Sequence, residues 1–271
     1  MVVLHGLEGS SRSGYVVEAC RQLLRRGIRP LALNFRGRSG IPNRRRRLYH
    51  SGETGDLAHV IRLVRRRLGD RIPVAALGFS LGGNVLLKYL GERDAAATGL
   101  SAAAVVSVPF DLGASADHLE RGPGRIYARS LLRSLKRSLR RKARRMPDAY
   151  DLKRASEADT LRGFDDAVTA PVHGFRDAEE YYRLSSSARY VSGIGVETMV
   201  IHSRDDPFVP ADSVPTGTLE TNPFVELRLC RRGGHVGFLS AGPGGAPRFW
   251  AEDRAAAFLA DRLSPRDASG S

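Results

Sequence analysis

Short apolar runs and stretches of helical periodicity alternate along much of this chain. Runs of Val, Leu, Ile and Ala bounded by Gly, Pro or polar residues predict strands, and apolar residues at helical spacing predict helices. The predicted strands cover residues 1–4, 30–34, 74–78, 102–108, 197–202 and 225–230. The predicted helices cover residues 15–26, 56–68, 80–90 and 248–263. Repeated strand-loop-helix units predict an α/β fold, a mostly parallel sheet with helices on both faces.

The alternation is interrupted between residues 110 and 190, where the pattern predicts a mostly helical cap insertion. The core would then consist of residues 1–109 and 191–263, with a frayed tail at 264–271. Within the insertion, residues 129–145 contain nine basic residues and no acidic one. The insertion also contains an apolar stripe made of Leu131, Leu132, Leu135, Leu139 and Met146. This pattern is typical of an amphipathic cationic helix, which either packs on the core with a solvated basic face or contacts an anionic membrane.

Composition changes this picture in few respects. With 271 residues, 42% of them hydrophobic, the chain can bury a sizeable core. A formal net charge of +14 favours anionic partners, although the excess of Arg can also reflect a compositional bias of the source genome. Because the basic stretch lacks interleaved aromatic side chains, nucleic acid is not expected as a partner.

The sequence contains no obvious targeting segment or metal-binding pattern. No apolar run is long enough to span a bilayer, and the first residues lack the features of a signal peptide, so a cytoplasmic location is expected. Cys20 and Cys230 lie far apart without CxxC spacing, which predicts neither a disulfide framework nor a zinc site. The histidines show no metal-ligand spacing. We therefore expect no metal and no cofactor.

A candidate nucleophile lies at the junction of a predicted strand and helix. Ser80 is the centre of Gly78-Phe79-Ser80-Leu81-Gly82, a G-x-S-x-G motif in the strand-turn-helix context of a nucleophile elbow. Small residues are needed there because strand and helix approach closely. The alternative is an ordinary glycine-rich turn after a buried strand. An acid and a base elsewhere in the chain are needed to decide between the two interpretations.

Candidates for an acid and a base follow two later strands. Asp205 and Asp206 come after the strand at 197–202, and His235 comes after the strand at 225–230. A serine hydroxyl needs an imidazole base, and a carboxylate must fix the imidazole tautomer. We prefer Asp206, because Asp206-Pro207-Phe208-Val209-Pro210 fits the D-x-x-V-P turn common after the acid-bearing strand, while Asp205 stays an alternative. The order Ser, Asp, His is that of α/β-hydrolases.

The same chemistry needs donors for a developing oxyanion. One would be the backbone N–H of Leu81, which follows the nucleophile. The second would be the N–H of Leu7, in the loop His5-Gly6-Leu7 after the first predicted strand. That loop could also be a plain tight turn.

Segments across nearly the whole chain resemble the YheT-type α/β-hydrolases, whose eukaryotic relatives include phospholipid esterases and ethyl-ester synthases. The segments are LHGLEGS (4–10), NFRGRSGIPNR (34–44), YHSGETGDL (49–57), GFSLGGN (78–84), FDDAVTAPVHGF (164–175) with Tyr181 and Tyr182, IHSRDDPFVP (201–210) and GGHVGF (233–238). The resemblance implies an α/β-hydrolase fold and a triad of Ser80, Asp206 and His235. It also implies a carboxylic ester hydrolase that acts through an acyl-enzyme on a small-molecule acyl ester, which could be medium-chain or lipid-like.

Two alternative functions stay open. The same triad could transfer the acyl group to an alcohol, or the fold could be a non-enzymatic scaffold that binds anionic lipid or nucleic acid, which the complete triad disfavours. The start also departs from the family, whose members carry additional N-terminal strands. This departure suggests a truncated chain or a misassigned start and predicts that the strand at 30–34 is an exposed sheet edge.

Overall fold

The short apolar runs form a six-stranded, all-parallel sheet in the computed structural model, which describes residues 1–264. The strands, in chain order, are β1 (Val2–Leu4), β2 (Leu31–Leu33), β3 (Ala75–Phe79), β4 (Ala102–Val106), β5 (Thr198–Ser203) and β6 (Val225–Cys230). Their order across the sheet is β2-β1-β3-β4-β5-β6. The expected edge position of the strand near residues 30–34 is found, since β2 is the outermost strand and Leu31 is 42% exposed.

Helices cover both faces of the sheet, as the α/β pattern predicts. The helices are α1 (Gly14–Leu24), α2 (Thr54–Leu68), α3 (Leu81–Gly91), α4 (Ala95–Thr98), α5 (Leu112–Leu119), α6 (Gly124–Ala143), α7 (Leu152–Glu157), α8 (Leu161–Phe164), α9 (Ala170–His173), α10 (Ala178–Ser185), α11 (Thr216–Thr221) and α12 (Trp250–Leu263). A π-helical turn, Asp165–Thr169, joins α8 to α9.

Alternate strand residues point to opposite faces and build two core clusters. Val3 and Leu77 belong to the cluster that includes residues of α1 and α12. Val2 and Leu4 belong to the other cluster, which includes residues of α2 and α3. Because both faces are covered, β3 and β4 are buried along their full length and read in the sequence as continuous apolar runs.

Residues 110–190, here called the insertion, run between β4 and β5 and contain helices and turns but no strand. They form an apolar cluster of their own that includes Leu132 and Leu139 of α6 together with Phe164. The predicted leucine stripe therefore packs inward, and the helix that carries the basic run extends from Gly124 to Ala143. We keep the division into core and insertion as a proposal about domain organisation.

The starts of two predicted helices need correction, and the predicted tail is almost entirely outside the described residues. Helix α2 begins at Thr54, two residues before the predicted start, so Asp56 lies in its first turn, where it pairs with Arg36. The last helix begins at Trp250, because Pro247–Phe249 (β8) pairs antiparallel with Leu239–Ala241 (β7). The predicted tail lies, apart from Ser264, outside the described residues.

Within residues 1–264, no helix combines the length and the apolar character needed to cross a membrane.

Candidate active site

Ser80 lies on the sharp turn between β3 and α3 at the centre of the sheet. Its backbone has φ 51° and ψ −120°, a conformation rare for residues other than glycine. Its N–H donates to the carbonyl of Val106, the last residue of β4, at 2.9 Å. A Cβ atom at Gly82 would lie 2.6 Å from the carbonyl oxygen of His5, so only glycine allows α3 to approach the end of β1 this closely. The turn therefore lifts the Ser80 hydroxyl above the carboxyl edge of the sheet.

The loops after β5 and β6 bring an acid and a base to this hydroxyl. His235 Nε2 lies 2.9 Å from Ser80 Oγ, and His235 Nδ1 lies 2.9 Å from Asp206 Oδ2 and 3.0 Å from Oδ1. The Asp206 side chain is fully buried, at 0% exposure. A buried carboxylate accepts the proton on Nδ1, which leaves the lone pair of Nε2 for the serine hydroxyl. The three residues thus form one hydrogen-bonded chain.

Two backbone N–H groups hold the Asp206 carboxylate in place. Its Oδ1 accepts from Phe208 N at 2.8 Å and from Val209 N at 3.2 Å. These donors come from the Asp-Pro-Phe-Val-Pro turn, which explains why that sequence follows the acidic residue. The Phe208 ring also lies against the His235 ring, with the centroids 4.2 Å apart.

Asp205, the alternative acid, faces a different part of the site. Its Oδ1 accepts from the N–H groups of Gly233 and Gly234, each at 2.9 Å. These hydrogen bonds, chiefly that of Gly234, lower the pKa of the exposed Asp205 carboxyl. Asp205 therefore braces the loop that carries His235, while Asp206 contacts the imidazole itself.

The loop 5–7 packs directly against the serine. A Cβ atom at Gly6 would lie 3.1 Å from Ser80 Cβ, and Leu7 and Leu81 both line the cavity beside Ser80. Leu81 is the first residue of α3, where backbone N–H groups have no intrahelical acceptor. Both candidate oxyanion donors are thus close to the nucleophile in the fold.

The buried ring of His5 fixes the shape of this loop. Its Nδ1 lies 2.7 Å from the carbonyl of Gly6, and its Nε2 accepts from Phe35 N at 3.2 Å. Burial lowers the pKa of His5 to about 4, so the ring is neutral at pH 7 and carries its proton on Nδ1. His5 therefore holds the loop without placing a positive charge beside the site.

Backbone strain is concentrated around the same point. Among residues 1–264, the non-glycine residues with positive φ are Glu8, Ser80, Ser107 and Val236. Glu8 follows Leu7 and Val236 follows His235. Ser107 follows β4, and its Oγ accepts from Val236 N at 3.2 Å. Such conformations are costly, and they cluster where the surrounding structure fixes functional groups.

A cavity of about 520 Å³ lies over Ser80 and His235. Its apolar wall comes mainly from the insertion and includes Leu119, Leu131, Leu135, Leu139 and Phe164. Its polar lining includes Arg36, Arg38 and Asp165, and burial raises the pKa of Asp165 to about 6. The cavity suits a ligand that is apolar over most of its length and polar at one part.

A network around Glu8 links the loop 5–7 to the insertion, and sequence analysis missed it. The Glu8 carboxylate accepts from Ser134 Oγ at 2.6 Å and Ser138 Oγ at 2.9 Å, both on α6, and from Tyr49 OH at 3.1 Å. Arg38 Nη1 also donates to it at 3.0 Å. The available signal was the acidic residue in the glycine-rich loop, together with serines at one-turn spacing, Ser130, Ser134 and Ser138, on a mostly basic and apolar helix.

His50, Glu53 and His173 form the cluster of possible metal ligands found in residues 1–264, with their ligand atoms within 4.8 Å of one another. His50 Nδ1 accepts from Gly52 N at 3.2 Å, which leaves the ring proton on Nε2, the nitrogen nearer Glu53. Glu53 is already paired with Arg47. This donor set fits a metal poorly, since the nitrogen needed as a ligand carries a proton and the carboxylate has a cationic partner.

The parallel sheet, the strained serine turn and the Ser-His-Asp arrangement define the class of α/β-hydrolases. Residues 1–241 match the family model described as alpha/beta hydrolase fold, and the chain belongs to this family. Within it, the chain is 39% identical to YheT of Escherichia coli (strain K12), provisionally named an esterase, over 98% of this chain and 78% of that protein. The resemblance to the YheT-type hydrolases is thereby confirmed.

One further curated relative and one solved structure are also similar to this chain. It is 32% identical to the monoacylglycerol lipase of Saccharomyces cerevisiae over 88% of this chain, but it spans only 54% of that protein. The fold also resembles an esterase of Pyrococcus furiosus, Pf2001, with a TM-score of 0.61, 17% identity and coverage of 97% of this chain and 81% of the other. The likeness to Pf2001 concerns the fold alone.

Proposed function

We propose that this chain is a serine carboxylic ester hydrolase that works through an acyl-enzyme. The observation that carries the proposal is the hydrogen-bonded chain from Ser80 through His235 to Asp206, placed under a cavity with an apolar wall. Esterase and lipase relatives support ester hydrolysis as the reaction class. The substrate is a small-molecule acyl ester, medium-chain or lipid-like, because an acyl chain matches the leucine-lined wall of the insertion.

In the first half of the reaction, Ser80 Oγ attacks the ester carbonyl while His235 Nε2 takes the hydroxyl proton. Asp206 stabilises the imidazolium through Nδ1–H. The N–H groups of Leu7 and Leu81 donate to the oxyanion, and losing one such donor typically costs about 3 kcal/mol of transition-state stabilisation. The proton on His235 then passes to the leaving alcohol, which departs and leaves Ser80 acylated.

In the second half, a water molecule enters the cavity and attacks the acyl carbon. His235 Nε2 takes a proton from this water during the attack. The tetrahedral intermediate collapses, the acid leaves, and Ser80 regains its proton from His235. If an alcohol enters in place of water, the same steps transfer the acyl group. We favour hydrolysis, since the two curated relatives named above are an esterase and a lipase.

The first prediction concerns the nucleophile. Ser80→Ala should abolish covalent labelling by a fluorophosphonate probe and lower kcat on p-nitrophenyl esters by on the order of 10⁶-fold, because the attacking oxygen is removed. Ser130→Ala removes an exposed serine of α6 and serves as the matched control, with wild-type labelling expected. Equal labelling of wild type and Ser80→Ala, or no labelling of folded wild type, contradicts the proposal.

A further inference from the structure

Two basic runs that are distant in the sequence form one surface beside the cavity. The first is residues 129–145 and the second is the Arg run at residues 44–47. Lys142 Nζ joins them by donating to Asn43 O and Asn43 Oδ1 at 2.6 Å and to Arg45 O at 2.5 Å. We call the exposed face of α6 together with residues 44–47 the cationic surface.

Contacts from the C-terminal end of α6 onward reinforce this junction. Tyr150 OH donates to Arg46 O at 2.7 Å, and Arg46 Nε donates to Ala149 O at 3.1 Å. The junction is therefore held by the buried side chains of Lys142 and Tyr150 and is not a chance approach of exposed side chains.

The charge of the cationic surface is largely uncompensated. Within the part of the chain that the structure describes, no basic side chain of residues 129–145 forms an ion pair with a carboxylate. Of residues 44–47, Arg47 pairs with Glu53, and the other three form no ion pair in residues 1–264. Four arginines of α6 are exposed, as is Arg144 directly after the helix; the four are Arg129, Arg133, Arg137 and Arg140. A concentrated positive field of this kind attracts an anionic surface.

Apolar side chains flank this charge. Ile126 is 70% exposed and Ile41 is 65% exposed, the largest values among the large hydrophobic residues of the described chain. Ile126 lies near the N-terminal end of α6. Ile41 lies just before the Arg run at residues 44–47, which contacts the C-terminal end of α6. Exposed apolar residues beside basic ones are typical of a surface that enters the headgroup region of a bilayer, whereas a nucleic-acid surface gains nothing from isoleucine.

The cavity opens along the same helix. Tyr127 and Arg141 are both exposed and both line the cavity that contains Ser80. The Tyr127 ring lies 4.9 Å from that of Phe208, which in turn packs on His235. The exposed rim of the cavity therefore lies on the helix that carries the cationic surface.

We propose that the cationic surface docks on an anionic phospholipid bilayer, with Ile126 and Ile41 entering the headgroup region and the cavity rim at Tyr127 close to the lipid. Membrane docking does not require turnover. The proposal therefore goes beyond ester hydrolysis, and docking can be tested with a catalytically inactive variant. The same orientation would let a poorly soluble acyl ester pass from the bilayer to Ser80.

The test measures co-sedimentation with vesicles of phosphatidylcholine alone and with about a third phosphatidylglycerol. The protein carries Ser80→Ala so that the lipids stay intact. We expect binding only to the phosphatidylglycerol vesicles, and a loss of binding as salt rises from about 0.1 to 0.5 M. Binding that is equal on both vesicles, or absent from both, overturns the proposal.

A matched pair of charge variants locates the binding surface. Arg129→Gln, Arg133→Gln and Arg137→Gln together should weaken binding roughly a hundredfold. Arg66→Gln, Arg67→Gln and Arg71→Gln remove the same charge from exposed positions around the end of α2 and should leave binding within a few-fold of wild type. Equal losses in the two triple variants would mean that net charge alone drives binding, and the proposal would fail.

Two further measurements separate the membrane from other partners. Ile126→Ser should weaken vesicle binding severalfold while keeping its salt dependence, because it removes only the apolar contact. Tighter binding to a DNA duplex than to the anionic vesicles would overturn the choice of partner. In an otherwise wild-type background, the α6 triple variant should hydrolyse a soluble short-chain ester normally, since none of its three arginines lines the cavity.

Discussion

At the scale of single residues, Asp205 and Asp206 are chemically identical neighbours with different tasks. The turn after β5 directs Asp206 inward, where Phe208 N and Val209 N bind its carboxylate, and leaves Asp205 exposed against Gly233 and Gly234. The sequence favoured Asp206 through its turn pattern but left Asp205 open, because the direction of a side chain at a turn depends on tertiary contacts. The preference for Asp206 agrees with the geometry, and its catalytic role is a prediction.

Substituting each aspartate should separate the two tasks. Asp206→Asn should lower kcat about 10⁴-fold, because the amide favours the wrong imidazole tautomer. Asp205→Asn should cost about tenfold at most, since one acceptor oxygen remains for the glycine N–H groups. Steady-state kinetics on one soluble ester measures both, with circular dichroism as the folding control. A loss in Asp205→Asn as large as that in Asp206→Asn would contradict the assignment.

At the scale of elements, helix α6 combines roles that the sequence only partly revealed. Its leucine stripe and basic face were both predicted from periodicity, because those patterns follow from helical geometry. Its contact with Glu8 was not predicted, since it joins residues more than a hundred positions apart, with Ser134 and Ser138 meeting the loop 5–7 only in the folded chain. Glu8 follows directly on Leu7, so the position of α6 and that of one proposed oxyanion donor are mechanically linked.

Removing the two serines tests this link. Ser134→Ala with Ser138→Ala should lower kcat about tenfold with little change in KM, because Glu8 loses two donors and the Leu7 N–H shifts relative to the oxyanion. Ser130→Ala, which removes an exposed serine one turn before Ser134 that has no hydrogen bond to Glu8 within the described residues, should behave as wild type. Threonine at positions 134 and 138 keeps the hydroxyls and should restore most of the rate. If the alanine pair raises KM and leaves kcat unchanged, α6 shapes the cavity without positioning Leu7.

At the scale of the whole molecule, the parallel sheet followed from the order of apolar runs, whereas the hairpin of β7 and β8 did not. Its strands are short and exposed, and the intervening Gly- and Pro-rich residues read as a loop. The sequence also did not predict which histidines are buried, because the residue type alone does not indicate burial. Three of them, His5, His173 and His202, have pKa values lowered by burial to about 4.

These neutral histidines make the fold sensitive to acid. An unfolded histidine has a pKa of about 6.5, so as the pH falls from 6.5 towards 4 the unfolded chain binds protons that the folded chain does not, and stability declines across that window. For His202, which is fully buried with both ring nitrogens unpartnered in the described structure, the loss should reach about 2 kcal/mol by roughly pH 4.5. His202→Leu removes this titration. Its free energy of unfolding should therefore fall less than that of wild type between pH 7 and pH 4.5, by that same ~2 kcal/mol.

Urea unfolding at a series of pH values measures this difference. Any constant effect of His202→Leu on packing shifts the whole curve and leaves its pH dependence unchanged, so only the difference in slope is diagnostic. His59→Gln removes an exposed histidine and controls for the loss of an imidazole as such. Parallel curves for wild type and His202→Leu would show that His202 is protonated as readily in the folded chain as in the unfolded one. The effect of burial on the His202 pKa would then be offset by a nearby charge such as that of Asp206, which raises the His202 pKa.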